Sequence, residues 1–305
     1  MFQIILRETL GTKIHLFKIE APAVVNKARA GQFVIVRVDE KGERIPLTIA
    51  DWDSGEGSIT LVFMEVGTET TILATKGVRE FIADLAGPLG VPSEIDNFGT
   101  VICVGGGVGI APIMPVARAL KQAGNRVISI IGARSKDLLF WEEKVASVSD
   151  ELIVTTNDGS YARKALVTEP LNELLQQGNI NRVIVVGPAV MMRVCCETTK
   201  PFGVKTIVSL NPIMVDGTGM CGCCRVVVGD MTKFACVDGP EFDGHEVDWP
   251  LLMIRQGGYH HKESESFHLW KEILDSREVA SNAKAGPEPS PHAQASARGQ
   301  GKKLQ

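Results

Sequence analysis

The sequence is poor in aromatic residues: Phe, Trp and Tyr make up 6% of 305 residues, and two are tyrosines. The bulk of a core must therefore be aliphatic, drawn from a hydrophobic fraction of 44% that is ordinary for a globular chain. An excess of one charge is also missing, since 32 Lys and Arg face 36 Asp and Glu and leave a net −4. That balance excludes a basic nucleic-acid footprint at the level of the whole chain. No apolar run approaches the roughly 20 residues a membrane helix needs. The start, Met1 to Arg7, lacks a basic region followed by an apolar stretch and a small-residue cleavage site. No nucleic acid, no membrane and a cytoplasmic location are the expectation. A paired cysteine framework is missing as well: there are seven, an odd number, and four crowd into residues 221–236. In a cytoplasmic chain such crowding points to metal ligation rather than disulfides.

What is present divides into regions. Residues 1–97 read as short strands separated by turns, with β-rich runs at Lys13–Glu20, Gln32–Val38 and Ser58–Glu65. This predicts an antiparallel barrel or sandwich. Residues 98–210 alternate strand and helix patterns: Thr100–Val104, a helix over 112–123, Val127–Ile131, Leu138–Val148, Glu151–Thr155, Ala165–Gln177 and Val183–Val186. That alternation predicts a doubly wound parallel sheet. Residues 211–281 are short in core-forming residues and rich in Cys and Gly, so a metal would serve as a staple. Phe267–Leu274 reads as a final helix, and residues 282–305 as a disordered tail that cannot offset its ordering entropy. The fold class is multidomain α/β plus β.

Cys221, Cys224 and Cys236 follow the spacing C-x2-C-x11-C, and Asp216 stands five residues before the first. The plant-type iron–sulfur loop runs C-x4-C-x2-C with a distant fourth Cys. Here Asp occupies the place of its first Cys. Two bridged irons need four outer ligands, and Gly217, Gly219 and Gly222 give the loop freedom to converge on them. Three alternatives stand beside this reading. Zinc accepts the same ligand types, Cys223 competes with Asp216 as fourth ligand, and Asp-Gly is an ordinary turn dipeptide.

Gly105 to Pro112 (GGGVGIAP) follows a strand and opens a helix. Gly107 and Gly109 let the backbone approach a pyrophosphate at the helix N-terminus. Pro112 suits the first turn of that helix. The plainer reading is a tight structural turn.

Together these motifs carry a resemblance. Gly107 to Pro112 resembles the nucleotide loop of the ferredoxin–NADP reductase superfamily. Arg44-Ile45-Pro46-Leu47-Thr48 is similar to its flavin motif, and Gly187-Pro188 through Met191 to its late Gly-Pro-x-x-Met signature. With the [2Fe-2S] loop added, the chain resembles the small subunits that include dihydroorotate dehydrogenase electron-transfer subunits. It is most similar to the alpha (small) subunits of NADH-dependent ferredoxin:NADP oxidoreductases, the sulfide dehydrogenase beta type. The stretch from Ser209 to Cys236, with Asp216 as first ligand, is the most specific part of the resemblance.

The resemblance implies three domains: an FAD-binding barrel over 1–97, an NAD(P)-binding domain over 98–210 and a [2Fe-2S] domain over 211–281. It implies that Arg44 meets the FAD pyrophosphate, that Pro46 and Leu47 pack on the isoalloxazine, and that Thr48 approaches flavin N5. Val62, Phe63 and Met64 line the adenosine and ribityl side. Glu69 and Thr70 stand where the family has a phosphate-binding Gly-Thr, so Thr70 matches and Glu69 does not. Gly107, Gly109, Ala111 and Pro112 form the nucleotide loop. Ala133 and Arg134 sit at the adenine-side ribose, Asp158, Gly159 and Ser160 near the nicotinamide crevice, and Gly187, Pro188 and Met191 face the same crevice. Asp216, Cys221, Cys224 and Cys236 hold the cluster. No general acid or base is implied, because the cofactors carry the chemistry.

The function implied is an FAD and [2Fe-2S] electron-transfer subunit that exchanges hydride with NAD(H). Its partners are a larger flavin and [4Fe-4S] subunit and, through the complex, ferredoxin, with electron bifurcation between them. Service to dihydroorotate dehydrogenase or to a sulfide or sulfite reductase is the alternative within the redox class. A zinc-stapled nucleotide-binding regulator is the alternative outside it. Arg134-Ser135-Lys136 could accept a 2′-phosphate, which keeps NADP(H) open beside NAD(H).

Overall fold

β-branched and aliphatic residues dominate the first region and supply a barrel. The computed structural model describes residues 1–259 and 261–272. The chain begins with β1 (Phe2–Gly11), β2 (Ile14–Glu20), the single-turn α1 (Pro22–Val25), β3 (Phe33–Arg37), β4 (Arg44–Asp53), β5 (Ser58–Met64), α2 (Thr68–Thr75), β6 (Phe81–Ile82) and β7 (Asp84–Leu89). The strands pair antiparallel in the order β6-β1-β2-β5-β4-β3-β7. The two edge strands are joined by Ala83 alone, which draws the edges together into a near-closed barrel. Ile19, Ile49, Ile59, Leu61, Phe17 and Phe63 fill its interior. β5 is buried almost throughout because its outer face is covered too: Val62 belongs to a buried cluster with Ile110, Ala111 and Met114.

β1 and β4 are strands the sequence pattern does not announce. β4 contains Pro46, which normally marks an edge strand. The register explains it. Residues 44–48 pair with β3 on one side, whereas pairing with β5 starts only at Ile49. The proline therefore lies where one side of the strand is unpaired.

The second sheet is made of β8 (Thr100–Gly106), β9 (Arg126–Ala133), β10 (Glu151–Thr156), β11 (Arg163–Lys164), β12 (Arg182–Val186), β13 (Lys205–Ser209) and β16 (Glu241–Asp243). Between them run α3 (Ile110–Gln122), α4 (Glu142–Ala146), α5 (Thr168–Gln177) and α6 (Ala189–Thr199). The order is β11-β10-β9-β8-β12-β13-β16, parallel except for β16. Strand order reverses at β8, which places a topological switch point between β8 and β12. The helix expected over 138–148 is reduced to α4, because Trp141 takes a left-handed φ of 58° just before it.

Residues 211 onward contribute the hairpin β14 (Arg225–Val228) and β15 (Met231–Phe234), then β16 and α7 (Trp249–Gly257). This segment has no core of its own. Cys224, Val226, Ala235, Cys236 and Phe242 join a cluster with Phe33 and Ile35 of the barrel and Ile102 and Val208 of the parallel sheet. Residues 1–259 form one compact unit, and a second begins at 260. Its described part is helical over 261–272, which includes the start of the helix expected at Phe267. Leu274 and the expected tail, 282–305, lie outside the described residues.

Candidate functional site

The glycine loop sits where a doubly wound sheet binds nucleotides, at the carboxyl ends of β8 and β12. A Cβ on Gly109 would stand 2.2 Å from the Val186 carbonyl oxygen, so only glycine lets the loop pass that strand. Gly107 has φ +55°, and nothing lies within 4 Å of where its Cβ would be. Its open side faces away from packed atoms, as a backbone receiving a ligand must. Met191 closes the opposite wall, with its sulfur against Gly106 and its methyl against Gly187. Pro188 is exposed at the start of α6, and Pro112 is half-buried in the first turn of α3.

A second ledge lies beside it, after β9 and β10. Asp158 N–H donates to the Arg134 carbonyl at 3.1 Å, and Lys136 N–H donates to Ser160 Oγ at 2.9 Å. Asp158 in turn accepts from Ser160 N–H at 2.9 Å. Ala133 is buried and accepts from Asn157 N–H, while Arg134, Asp158, Gly159 and Ser160 are exposed. The Ser160 hydroxyl, followed by its N–H, holds the Asp158 carboxyl below its ordinary value. Thr155 Oγ1, near this rim, is fully buried without a hydrogen-bond partner and lies against Gly132. It is an orphaned polar atom at the end of a parallel strand, and the sequence gives no signal for it.

Arg44 to Thr48 form the free-edged stretch of β4. Arg44 is exposed, and Ile45, Pro46, Leu47 and Thr48 are each half-buried. Thr70 Oγ1 is already engaged, accepting from the Val66 and Gly67 N–H groups and donating to the Gly67 carbonyl. Its contribution to a phosphate would come from backbone donors at the start of α2. Glu69 Oε2 is buried and unpartnered beneath Gly42, in the β3–β4 turn. Burial, with Glu43 and Asp39 nearby, raises its carboxyl, against one hydrogen bond from the Glu43 backbone.

Two expected flavin or nucleotide contacts point elsewhere. Phe63 is turned into the barrel, edge-on to Phe17 at 5.1 Å, because β5 alternates and Val62 and Met64 take the other face. Ala111 is fully buried in the seam between α3 and the barrel. Both contribute packing rather than an open wall.

The cysteine loop brings one pair of its candidate thiols into contact. Cys224 and Cys236 Sγ are 3.2 Å apart and buried. Asp216 folds over Cys221, Oδ2 accepting from the Cys221 N–H at 3.2 Å and Oδ1 from the Thr218 N–H at 2.8 Å. The Thr218 N–H does most to hold the Asp216 carboxyl low. Burial, with Cys224 beside it, pushes the Cys236 thiol up to about 12, so a metal must displace protons to enter. Among the described residues no group of three His, Cys, Asp or Glu is arranged to hold a single ion. Cys223 is half-buried; a hydrogen bond with the Cys221 thiol raises its own thiol, and its carbonyl accepts from Arg255 Nη2 at 3.2 Å.

The three places are neighbours. A Cβ on Gly217 would meet Ile35 Cγ1 at 2.8 Å and Leu89 Cδ1 at 2.7 Å, so the loop carrying Asp216 lies against β3. Ile35 pairs with Pro46 across β3 and β4, and paired strands are about 4.8 Å apart. The cluster loop is thus one strand from the proline of the flavin-type motif. Val62, near that motif on β5, shares a buried cluster with Ile110 and Ala111 at the start of the helix that follows the nucleotide loop. The open loop at Gly107, the free edge at 44–48, the orphaned Thr155 hydroxyl and the paired thiols fit NAD(H), FAD and a [2Fe-2S] cluster.

Residues 211–248 match the family described as the iron-sulfur cluster binding domain of dihydroorotate dehydrogenase B. A homolog of the dihydroorotate dehydrogenase B (NAD(+)) electron transfer subunit from Thermotoga maritima is 48% identical over 265 residues, 87% of this chain and 94% of that one. The electron transfer subunit of dihydroorotate dehydrogenase B (NAD(+)) from Bacillus cereus strain Q1 is 31% identical over 252 residues, 79% of this chain and 95% of that one. Among solved structures, a chain of the NADH-dependent reduced ferredoxin-NADP oxidoreductase, studied for flavin-based electron bifurcation, superposes with a TM-score of 0.84. It is 46% identical and covers 88% of this chain and 98% of its own length. Among the described residues no helix is long and apolar enough to cross a membrane. The chain belongs to the family of dihydroorotate dehydrogenase B electron transfer subunits and their homologues, and is an electron-transfer subunit of an oxidoreductase.

Proposed function

We propose that this chain exchanges hydride with NAD(H) and passes electrons to a larger flavin and [4Fe-4S] subunit, within an electron-bifurcating NADH-dependent ferredoxin:NADP oxidoreductase. The observation that carries the reading is the contact of Gly217 with Ile35, the cross-strand partner of Pro46. It leaves one strand between the flavin motif and the cluster loop. FAD and a [2Fe-2S] cluster, when bound, supply the conversion of a two-electron hydride donor into single-electron transfers.

The chain's own residues bind and insulate. Arg44 offers an exposed guanidinium to the pyrophosphate, and Thr48 a half-buried hydroxyl to the flavin. Pro46, Leu47, Val62 and Met64 exclude water from the ring and its side chain. Backbone donors at Glu69 and Thr70 face phosphate. Gly107, Gly109 and Pro112 receive the dinucleotide, Ala133 and Arg134 meet its adenine-side ribose, and Asp158, Gly159 and Ser160 with Gly187, Pro188 and Met191 line its nicotinamide crevice. Asp216, Cys221, Cys224 and Cys236 would hold the [2Fe-2S] cluster. Val215, Met220, Met231 and Val237 of this segment are exposed and suit a subunit interface.

The test is to purify the full chain anaerobically and record flavin, iron, sulfide and the visible spectrum before and after NADH and NADPH. Flavin bands over a broad iron–sulfur envelope, bleached by NADH, are expected. Bleaching by NADPH alone would transfer the assignment to NADP(H), through Arg134 and Lys136. A colourless, zinc-containing chain after reconstitution would overturn the redox reading.

A further inference from the structure

Asp51 is the one carboxylate among the described residues that carries ion pairs from the barrel into the helices of the parallel-sheet layer. Its Oδ1 accepts from Arg118 Nη1 of α3 at 2.8 Å, and its Oδ2 lies 2.7 Å from Lys144 Nζ of α4. Each cation is also backed by an indole. The Arg118 guanidinium stands 5.2 Å from the Trp52 ring centre, and Lys144 Nζ 4.0 Å from that of Trp141. The Asp51 side chain is 19% exposed, less than Arg118 at 30% or Lys144 at 37%. A carboxylate this shielded, with two cations and two ring faces around it, is held more firmly than a surface pair.

Its placement suggests what it is for. The pairing of β4 with β5 slips between Ile49 and Asp51. Such a bulge re-aims side chains, and here it lets consecutive residues Ala50 and Asp51 both face the nucleotide layer while Ile49 stays in the barrel. Asp51 follows Thr48 by three residues, roughly 10 Å of strand. Arg118 follows Pro112 by six residues, roughly 9 Å of helix. The knot thus stands a short way behind both the flavin motif and the nucleotide loop and ties their two elements together.

We propose that Asp51 is a positioning residue for hydride transfer, fixing with Arg118 and Lys144 the flavin strand against the helix that carries the nucleotide loop. This rests on the electron-transfer reading above. In that reaction a C–H bond of the dihydronicotinamide breaks, and its hydrogen leaves with both electrons for the flavin, so NADH is oxidised as the flavin is reduced. The rate of such a step depends steeply on the mutual placement of donor and acceptor. Asp51 touches neither, and its influence would appear as geometry alone.

The experiment compares the wild-type full chain with Asp51→Asn, Arg118→Ala and Arg118→Lys. In the flavin-loaded proteins, bleaching by NADH is followed by stopped flow. The limiting rate per bound flavin is expected to fall on the order of tenfold in Asp51→Asn and Arg118→Ala. The NADH concentration for half the limiting rate should stay unchanged, and Arg118→Lys should restore most of the rate. A residue of merely structural importance would lower flavin content or melting temperature and leave the rate per bound flavin intact; that result overturns the proposal. Hydrogen exchange of the cofactor-free chain gives a second readout. Asp51→Asn should speed exchange in β4 over 49–53 and in α3 together, and unchanged exchange in both overturns the latch. Failure of NADH to bleach the loaded wild type would overturn the electron-transfer reading instead, and the exchange result would still decide whether Asp51 joins the two elements.

Discussion

The nucleotide crevice and the cluster loop serve one electron path and are held by different means. The crevice is built by regular elements. β8, β9 and β12 run in register, and fully buried Val101, Cys103, Val127 and Ile113 pack between sheet and helix. Its glycines then place backbone against backbone. The loop from Asp216 to Cys224 is held by Asx-type hydrogen bonds, by glycines at positive φ and by the borrowed core around Cys224 and Cys236. One site is preformed by burial, and the other is completed by its ligand. A metal-completed site contributes its binding energy to folding, whereas a preformed crevice does not depend on its nucleotide for order.

The largest effect expected from this contrast comes from the buried thiol pair. Cys236→Ser should abolish iron retention and open residues 211–248 to proteolysis, while flavin content and NADH binding persist. Iron and flavin per chain, with peptide mapping of the nicked product, measure it. Loss of flavin along with iron would mean that the two sites are one cooperative unit.

The crevice should answer to glycine substitution instead. Gly109→Ala pushes a methyl into the Val186 carbonyl, backbone that cannot swing aside. A loss of about 1–3 kcal/mol is expected, as for other overpacked positions, read by denaturant unfolding. Gly107→Ala has room for its methyl but takes φ +55°, a strain of about 1 kcal/mol. Because the methyl would occupy the open side, NADH binding should weaken on the order of tenfold, equivalent to about 1.4 kcal/mol. Equal NADH affinity in Gly107→Ala and wild type would show that the dinucleotide approaches from another direction.

The same contrast explains what the sequence made legible. The parallel sheet could be read because its strands are continuous apolar runs ended by glycine, and the loop at 107–112 announces itself by that ending. The candidate ligands could be read as a group because spacing alone brings Asp216, Cys221 and Cys224 into one turn-rich loop. β4 was hidden by Pro46, since an unpaired half-edge is a tertiary fact. The direction of Phe63 was hidden too, because β5 is buried on both faces and its run gives no sign of which side meets the nucleotide layer. Asp51, Arg118 and Lys144 lie far apart in sequence and carry no local pattern. Only the bulge at Ala50, created by strand pairing, brings them together. The dependence of the third segment on Phe33 and Ile35 was likewise unreadable, because a short Cys-rich stretch looks self-contained until its neighbours are known.

The smallest effect concerns the two carboxylates at the seams, which should respond to pH with opposite sign. Burial works to raise the Asp51 carboxyl, and Lys144 and Arg118 outweigh it and hold it below 3.8. Its stabilisation is present above that value and is lost as pH falls through the lowered one. Glu241 of β16, which accepts from Ser93 Oγ at 2.6 Å, behaves in reverse. Burial raises its carboxyl above 4.5, against Ser93 and Arg182. The unfolded chain then gives up this proton first, so stability is complete below 4.5 and declines as pH rises through the raised value. Glu241→Gln keeps an acceptor for Ser93 and removes the proton. Its melting temperature should hold level across that window while the wild type declines. Parallel curves for the two proteins would mean that Glu241 is ionised in the fold, and that β16 is stitched to the barrel linker by charge rather than by a neutral hydrogen bond.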